Sequence, residues 1–248
     1  MSGHSKWANI KHKKEKSDSK RGKIFTKLGR EIAVIVKQGG PDPESNSKLK
    51  DVIAKAKSEN MPNENIMRSI KKAAGDVDGS NYEEITYEGY GPGGVAMVVE
   101  AMTDNKNRTA GDVRHFFDKF GGNMGTTGCV SFLFNRKGLL VVLKELKPDE
   151  DEVMMEALDA GAEDIVVQED VYEILVEVEN FSSVREALEG KNYQFESADI
   201  EMIPVTTVEL KEEKQIEFLE KLVDALEDLD DVQQVFHNWE DDRPDDDE

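Results

Sequence analysis

The sequence predicts an α+β protein in which an N-terminal all-helical domain is followed by two α/β domains. Two changes in pattern carry this prediction. Apolar residues recur at helical spacing as far as Gly75, and from Tyr82 onward they alternate as they do in strands. In addition, the elements predicted between residues 139 and 204 follow the order β-α-β-β-α-β. This order is typical of the ferredoxin-like fold.

Three helices are predicted in the N-terminal domain. The first covers about 24–38 and stops at Gly39-Gly40-Pro41, because glycine and proline both interrupt a helix. The second covers about 46–59. Pro62 opens the third helix, and Gly75 is expected to end it as a C-terminal cap.

The strand pattern after the helices predicts a discontinuous domain. Strands at 82–88, 94–102 and 130–134 with a helix at 109–120 form its first part, and a helix at about 213–229 with flanking strands forms its second. The domains expected from this pattern are a basic arm plus helical domain at 1–75, a discontinuous α/β domain at 82–135 and 205–239, an inserted ferredoxin-like α/β domain at 138–204, and an acidic disordered tail at 240–248. Residues 76–81 are predicted to be a linker.

Charge is distributed very unevenly along the 248 residues. The whole chain has 53 acidic and 32 basic residues and a net charge of −21, which taken alone argues against nucleic-acid binding. Residues 1–75, however, carry 18 basic and 8 acidic residues, a net of +10. The remaining residues carry 14 and 45, a net of −31. This asymmetry predicts a basic interaction domain at the N-terminus.

The segment from Lys6 to Arg30 is the strongest candidate for a polynucleotide site. Its cations can neutralise phosphates, and an indole can stack on a base. The alternatives are an arm that docks on the acidic part of its own chain and a solvated arm without a partner. The nucleic-acid-binding residues predicted here are Lys6, Trp7, Lys11, His12, Lys13, Lys14, Lys16, Lys20, Arg21, Lys23, Lys27 and Arg30.

A second candidate phosphate site lies at the start of the helix predicted at 109–120. Lys106 and Arg108 flank a helix N-terminus whose cap is expected at Asn107 or Thr109, and such a terminus attracts anions. Ordinary capping with two exposed cations is the alternative. The loop Gly121–Gly128 contains four glycines, which would let a polynucleotide approach closely or simply form a turn.

Enzymatic function is not predicted. The four histidines lie in separate segments without the spacing of metal ligands or of a catalytic triad, so no cofactor and no metal is expected. Gly89–Gly94 fits the pattern G-x-G-x-x-G, but a strand follows instead of a helix, which predicts a hairpin turn. Cys129 is expected to be buried in an apolar strand.

No apolar run approaches the length of a membrane span, and a cytoplasmic protein is predicted.

Several unrelated strings of residues occur together in this chain. They are the opening Met1–Lys14 (MSGHSKWANIKHKK), Arg21–Leu28 (RGKIFTKL), Gly39–Pro43 (GGPDP), Tyr87–Gly94 (YEGYGPGG), Thr103–Thr109 (TDNKNRT) and Gly121–Gly125 (GGNMG). Together they resemble the YebC/PmpR-type family, and the resemblance covers residues 1 to 240.

The resemblance implies a bacterial cytoplasmic protein of three domains that regulates gene expression without catalysis. Family members are described as transcriptional regulators that bind promoter DNA, and a mitochondrial relative activates translation of cytochrome oxidase subunit I. The alternative implied is a ribosome-associated factor that binds ribosomal RNA and relieves stalling at proline-rich stretches. The expected nucleic-acid partners are therefore double-stranded DNA, ribosomal RNA or both. The charge of the acidic α/β domains suits protein partners, and no membrane contact is expected. The sequence leaves the oligomeric state open, with a monomer favoured.

Overall fold

A computed structural model describes residues 21–75 and 82–241. The predicted arm before residue 21, the predicted linker at 76–81 and the tail from residue 242 onward lie outside the described residues. The described chain forms two compact units, and each unit draws on separate stretches of sequence. In unit 1 the described stretches are 21–25, Ile35–Ala74 and Arg136–Ile203; in unit 2 they are Thr26–Val34, Gly75, 82–135 and 204–241. The three-domain division expected from the sequence stays a prediction.

The three predicted N-terminal helices are all present. They are α1 (Arg21–Gly39), α2 (Ser47–Ser58) and α3 (Asn63–Gly75). Helix α1 contributes its middle, Thr26–Val34, to unit 2 and its ends to unit 1. After α1 the chain turns through Gly40, whose φ of +87° lies in the left-handed region that favours glycine.

One buried asparagine joins the end of α1 to the start of α2. Asn46 is the N-cap of α2, and its Oδ1 accepts a hydrogen bond from the Leu49 N–H at 3.2 Å. Its Nδ2 donates to the carbonyls of Ile35, at 3.3 Å, and Gly40, at 2.9 Å. The side chain thus satisfies backbone groups that both helix ends leave unpaired.

The β-α-β-β-α-β order predicted from the sequence is present in unit 1. Its elements are β4 (Phe134–Leu143), α5 (Glu150–Ala160), β5 (Asp164–Val167), β6 (Val171–Val176), α6 (Phe181–Gly190) and β7 (Ser197–Pro204). The strands form one sheet in the order β5-β6-β4-β7. Leu140, Ile174 and Leu188 are fully buried in the core between this sheet and its helices.

Helix α2 packs against α6 within unit 1 through a buried arginine. Arg185 is 4% exposed, and its Nε donates to Asp51 Oδ1 at 3.0 Å. Its Nη1 donates to Glu189 at 2.5 Å, and the Ser182 hydroxyl donates to the second oxygen of Asp51. Because a buried guanidinium is stable only when it is paired, these bonds fix the helical segment to the β-α-β-β-α-β segment.

The elements of unit 2 are β1 (Glu83–Tyr90), β2 (Ala96–Thr103), α4 (Lys106–Lys119), β3 (Asn123–Met124), β8 (Val208–Glu209), α7 (Glu213–Glu227), β9 (Val232–His237) and β10 (Trp239–Glu240). Four of the strands form a second sheet in the order β3-β1-β2-β9. Apolar side chains of α4 and α7 cover the sheet, with Phe117, Leu219 and Leu222 fully buried. The predicted fold class, a helical N-terminal region followed by α/β content, is confirmed.

The prediction of a strand at 130–134 is wrong. Residues Ser131–Leu133 form a single 3₁₀ turn, and Phe134 begins the ten-residue strand β4 instead. Cys129 accordingly lies in a turn, partly exposed, and not in a buried strand. The physical reason is that the backbone N–H groups of this segment bind a side chain, so they cannot join a sheet.

That side chain is the carboxylate of Glu88, which is 3% exposed on β1. It accepts backbone N–H bonds from Gly128 at 2.7 Å, Val130 at 2.9 Å and Ser131 at 2.8 Å. Burial alone would raise the pKa of Glu88, but these hydrogen bonds, with one from the Ser131 side chain, outweigh burial and hold its pKa below the usual range. The loop therefore folds around an ionised carboxylate.

Replacing this carboxylate tests how strongly it holds the loop. We expect Glu88→Gln to lower the free energy of unfolding by about 2 kcal/mol, because an amide NH₂ replaces an acceptor that faces N–H donors. Urea unfolding followed by Trp239 fluorescence measures the change, since Trp239 packs against the core of unit 2. Because the folded-state pKa is depressed, the contribution is present above about pH 4.3 and disappears as the pH falls through the folded-state pKa.

Glu84→Gln is the matched control. Glu84 lies on the same strand and is exposed, and its substitution removes the same charge. We expect its effect to stay within about 0.5 kcal/mol. Equal effects of the two substitutions would contradict the role assigned to Glu88.

Candidate nucleic-acid interface

The carboxylate of Asp231 gathers two of the predicted phosphate-binding cations. Arg30 Nη1 lies 2.6 Å from Asp231 Oδ1, and Arg108 Nη2 lies 2.7 Å from Oδ2. The hydroxyls of Thr109, at 2.7 Å, and Thr103, at 3.1 Å, donate to the same Oδ2. Asp231 is 8% exposed, so three elements of unit 2, α1, α4 and β2, meet at one buried anion.

The electrostatics of this cluster favour the ionised state. Burial would raise the pKa of Asp231, but hydrogen bonds from Arg108 and Thr109 and the charges of Arg30 and Arg108 together lower it below its usual range. The pKa of Arg108 is raised above its already high value, first by the hydrogen bond to Asp231 and then by that to Asp104. The two arginines therefore share one ionised carboxylate within unit 2.

The middle of α1 makes two further contacts within unit 2. Arg30 Nη1 also donates to the Asp230 carbonyl at 2.5 Å, and its guanidinium lies 5.2 Å from the centre of the Tyr82 ring. Lys27 Nζ donates to the Glu227 carbonyl at 2.7 Å. Glu227 ends α7, and a cation is favourable at the negative end of a helix. Lys27 and Arg30 thus contact the acidic part of their own chain, which was the alternative to phosphate binding for this segment.

The N-terminus of α4 differs from the expectation. Its N-cap is Asn105, whose side chain accepts the Arg108 N–H at 3.1 Å, and neither Asn107 nor Thr109 is the cap. The Thr109 side chain is instead buried against Asp231, which explains why it cannot cap the helix. Lys106 pairs with Glu83 at 2.5 Å, so both cations at this helix end, Lys106 and Arg108, have carboxylate partners.

The glycine-rich loop after α4 is also occupied by its own chain. Glu88 accepts the N–H of Gly128, and Gly125 donates its N–H to the Glu88 carbonyl at 2.8 Å. Burial first, and the nearby charge of Glu88 second, raise the pKa of the Cys129 thiol. The loop therefore forms an internally bonded turn, and its thiol is a weak nucleophile.

A different set of cations is exposed on α3. Arg68, Lys71 and Lys72 are exposed, while Ile66 and Ile70 on the other side of the helix are buried. The three cations are spaced i, i+3 and i+4 and so share one face, here named the α3 basic face. Within residues 21–75 and 82–241, none of them has a carboxylate at ion-pair distance.

The α3 basic face was missed by the sequence analysis, although its spacing could have revealed it. Like charges at this spacing destabilise an isolated helix by a few tenths of a kcal/mol, and a bound polyanion would relieve the repulsion. Helices α1 to α3 with their connections, residues 21–75, carry 12 basic and 6 acidic residues, a net of +6. The α3 basic face therefore belongs to a region of positive net charge.

The remaining predicted site residues lie between positions 6 and 23. Arg21 is exposed and Lys23 partly exposed in the first turn of α1. The following predicted residues lie outside the described residues: Lys6, Trp7, Lys11, His12, Lys13, Lys14, Lys16 and Lys20.

The described part of the chain has neither a cluster of metal-binding side chains nor a membrane-spanning helix. Within residues 21–75 and 82–241, no three His, Cys, Asp or Glu side chains lie close enough together to hold a metal ion. None of the helices in these ranges combines the length and hydropathy needed to cross a bilayer.

Comparison with known proteins covers nearly the whole chain. Residues 5–76 match the family model of the TACO1/YebC protein N-terminal domain, and residues 82–239 match that of the TACO1/YebC second and third domain. A "Probable transcriptional regulatory protein" of Acetivibrio thermocellus is 67% identical over 239 residues, covering 96% of this chain and 99% of that protein. One of the same name from Ruminiclostridium cellulolyticum is 63% identical over the full length of both chains.

A solved structure is similar as well. The crystal structure of a conserved hypothetical protein from Aquifex aeolicus has a TM-score of 0.84 and 50% sequence identity with this chain. The match covers 95% of this chain and 97% of that one. The fold described above is therefore shared with an experimentally determined structure.

Neutralising Asp231 tests whether unit 2 depends on this anion. We expect Asp231→Asn to lower the free energy of unfolding by about 2–3 kcal/mol, because Arg30 and Arg108 lose their shared counter-charge. Because the folded-state pKa of Asp231 is depressed, the difference from the wild type is present above about pH 3.9 and shrinks as the pH falls through the folded-state pKa. Urea unfolding at several pH values measures both effects.

Asp230→Asn serves as the control for the adjacent position. The side chain of Asp230 is exposed, and only its backbone carbonyl contacts Arg30. We expect a change within about 0.5 kcal/mol. If Asp231→Asn were as mild as this control, the cluster would not be what stabilises unit 2.

Proposed function

The chain belongs to the TACO1/YebC family, and from this premise we propose that it is a non-catalytic regulator of gene expression that binds double-stranded DNA. The names of its relatives describe a regulatory protein, which supports this role. The observation that carries DNA binding is the α3 basic face, formed by Arg68, Lys71 and Lys72, because its exposed cations have no carboxylate partner among the described residues.

The arrangement favours recognition of the phosphate backbone. Cations spaced along one helix face bind phosphates whatever the base sequence, whereas reading bases requires side chains that reach the groove edges. The acidic part of the chain, with its net charge of −31 beyond residue 75, repels a polynucleotide. Contact is therefore confined to the N-terminal region, where the α3 basic face and the predicted arm supply positive charge.

Crosslinking in cells, followed by sequencing of both the DNA and the RNA recovered, tests the proposed target. We expect enrichment of promoter DNA over a control without crosslinker. Recovery of ribosomal RNA without DNA enrichment would contradict the DNA target and favour the ribosome-associated alternative. The experiment separates the two because both polymers are recovered from the same sample.

Neutralising the α3 basic face should weaken DNA binding in a salt-dependent manner. For Arg68→Gln/Lys71→Gln/Lys72→Gln, we expect the slope of log K against log salt to decrease in magnitude by up to about 2.7, since each phosphate contact contributes about 0.9. Fluorescence anisotropy with a labelled duplex between 50 and 200 mM salt, about the range in which such contacts weaken steeply, measures the slope.

A control variant lowers the net charge by the same amount, but in unit 2 instead of on α3. Lys119→Gln/Lys211→Gln/Lys214→Gln removes three exposed cations from unit 2. We expect an unchanged slope. If both triple variants reduced the slope equally, binding would depend on net charge alone and the α3 basic face would not be the contact surface.

The predicted arm makes a separate contribution. If it contacts about five phosphates, the wild-type slope includes roughly −4 to −5 from the arm. Lys11→Ala/Lys13→Ala/Lys14→Ala should then decrease the magnitude of the slope by up to about three phosphates' worth in the same assay. A slope that this variant leaves unchanged would exclude the arm as a binding surface.

A further inference from the structure

Helix α5 in unit 1 has an exposed apolar face. Val153 and Ala157 are fully buried against the sheet, whereas Met154 is 38%, Met155 64% and Leu158 52% exposed. The spacings i, i+4 and i, i+3 bring these three side chains together on the side of the helix away from the core. We call Met154, Met155 and Leu158 the methionine face.

Such clustering is unusual for a solvated helix. Ten large apolar side chains are exposed within residues 21–75 and 82–241, and three of them lie on this single face. Isolated exposed apolar residues are common, but a contiguous group marks an interaction surface. Methionine is flexible and polarisable and is frequent on surfaces that accept partners of varied shape.

The charges around the methionine face indicate what kind of partner fits. Residues 149–170 contain ten acidic and no basic side chains. Asp151, Glu152 and Asp159 on α5 are exposed and form no ion pair within the described part of the chain. Glu156, on another side of the helix, is already used, because it accepts a hydrogen bond from Tyr193 at 2.8 Å and pairs with Lys191 at 3.3 Å.

We propose that the methionine face binds a basic amphipathic helix of a partner protein. The apolar side of that helix would pack on Met154, Met155 and Leu158, and its Lys or Arg side chains would pair with Asp151, Glu152 and Asp159. Apolar side chains at helical spacing on the two helices would pack against each other, as they do when amphipathic helices recognise one another. The surface is distinct from the proposed DNA contact, because its carboxylates repel phosphates.

A designed peptide provides the probe. It has 18 residues, with leucines along one face of the helix, lysines along the other, and a fluorescent dye at one end. Its anisotropy is followed during titration with the full-length protein. A scrambled peptide of the same composition, whose leucines do not share a face, is measured in parallel. We expect the ordered peptide to bind at least about tenfold more tightly than the scrambled one.

Three variants locate the binding surface. Met154→Ser/Met155→Ser/Leu158→Ser should weaken binding of the ordered peptide at least tenfold, and Asp151→Asn/Asp159→Asn about threefold to tenfold. The control is Met67→Ser/Phe132→Ser/Val205→Ser, which removes three exposed apolar side chains elsewhere. It should leave the affinity unchanged. Circular dichroism and urea unfolding show that each variant is folded.

Four results would overturn the proposal. The first is equal affinity of wild type and the methionine-face variant, and the second is equal binding of the ordered and scrambled peptides. The third is wild-type self-association that the methionine-face variant abolishes, which would assign the face to a second copy of this chain. The fourth is tighter peptide binding by Lys11→Ala/Lys13→Ala/Lys14→Ala, which would assign it to the chain's own basic segment.

Discussion

Unit 2 depends on the hydrogen bonds that converge on the buried carboxylate of Asp231. It accepts hydrogen bonds from Arg30 on α1, Arg108 and Thr109 on α4, and Thr103 at the end of β2. A buried anion without partners would be strongly destabilising, so these three elements hold each other in place through it. The contact also explains why the middle of a helix from the N-terminal region belongs to unit 2.

Two internal carboxylates occupy groups that could otherwise bind phosphate. Asp231 neutralises Arg30 and Arg108, and Glu88 accepts the backbone N–H groups of the glycine-rich loop. Guanidinium groups and converging N–H groups are what proteins commonly offer to phosphates. In the function proposed here, DNA contact therefore falls to cations without such partners, namely the α3 basic face and the predicted arm, and a separate acidic surface remains for protein.

Local patterns in the sequence were sufficient for the helices, the β-α-β-β-α-β order and the fold class. The pairing of Arg30 with Asp231 was beyond them, because it joins residues 201 positions apart and no periodicity encodes it. The expected strand at 130–134 failed for a similar reason, since the distant Glu88 takes the N–H groups a strand would need. The α3 basic face, by contrast, could be predicted from the sequence, because the cations at positions 68, 71 and 72 are spaced i, i+3 and i+4 and so share one helix face.

Acetylation footprinting of lysines, with and without a DNA duplex, tests most directly whether internal pairing decides which cations bind. The full-length protein is modified briefly at low salt, and the rate at each lysine is read by mass spectrometry. We expect DNA to protect Lys71 and Lys72, while the acetylation rate of Lys106, which pairs with Glu83, stays unchanged. Protection of Lys106 with no change at Lys71 and Lys72 would contradict this expectation.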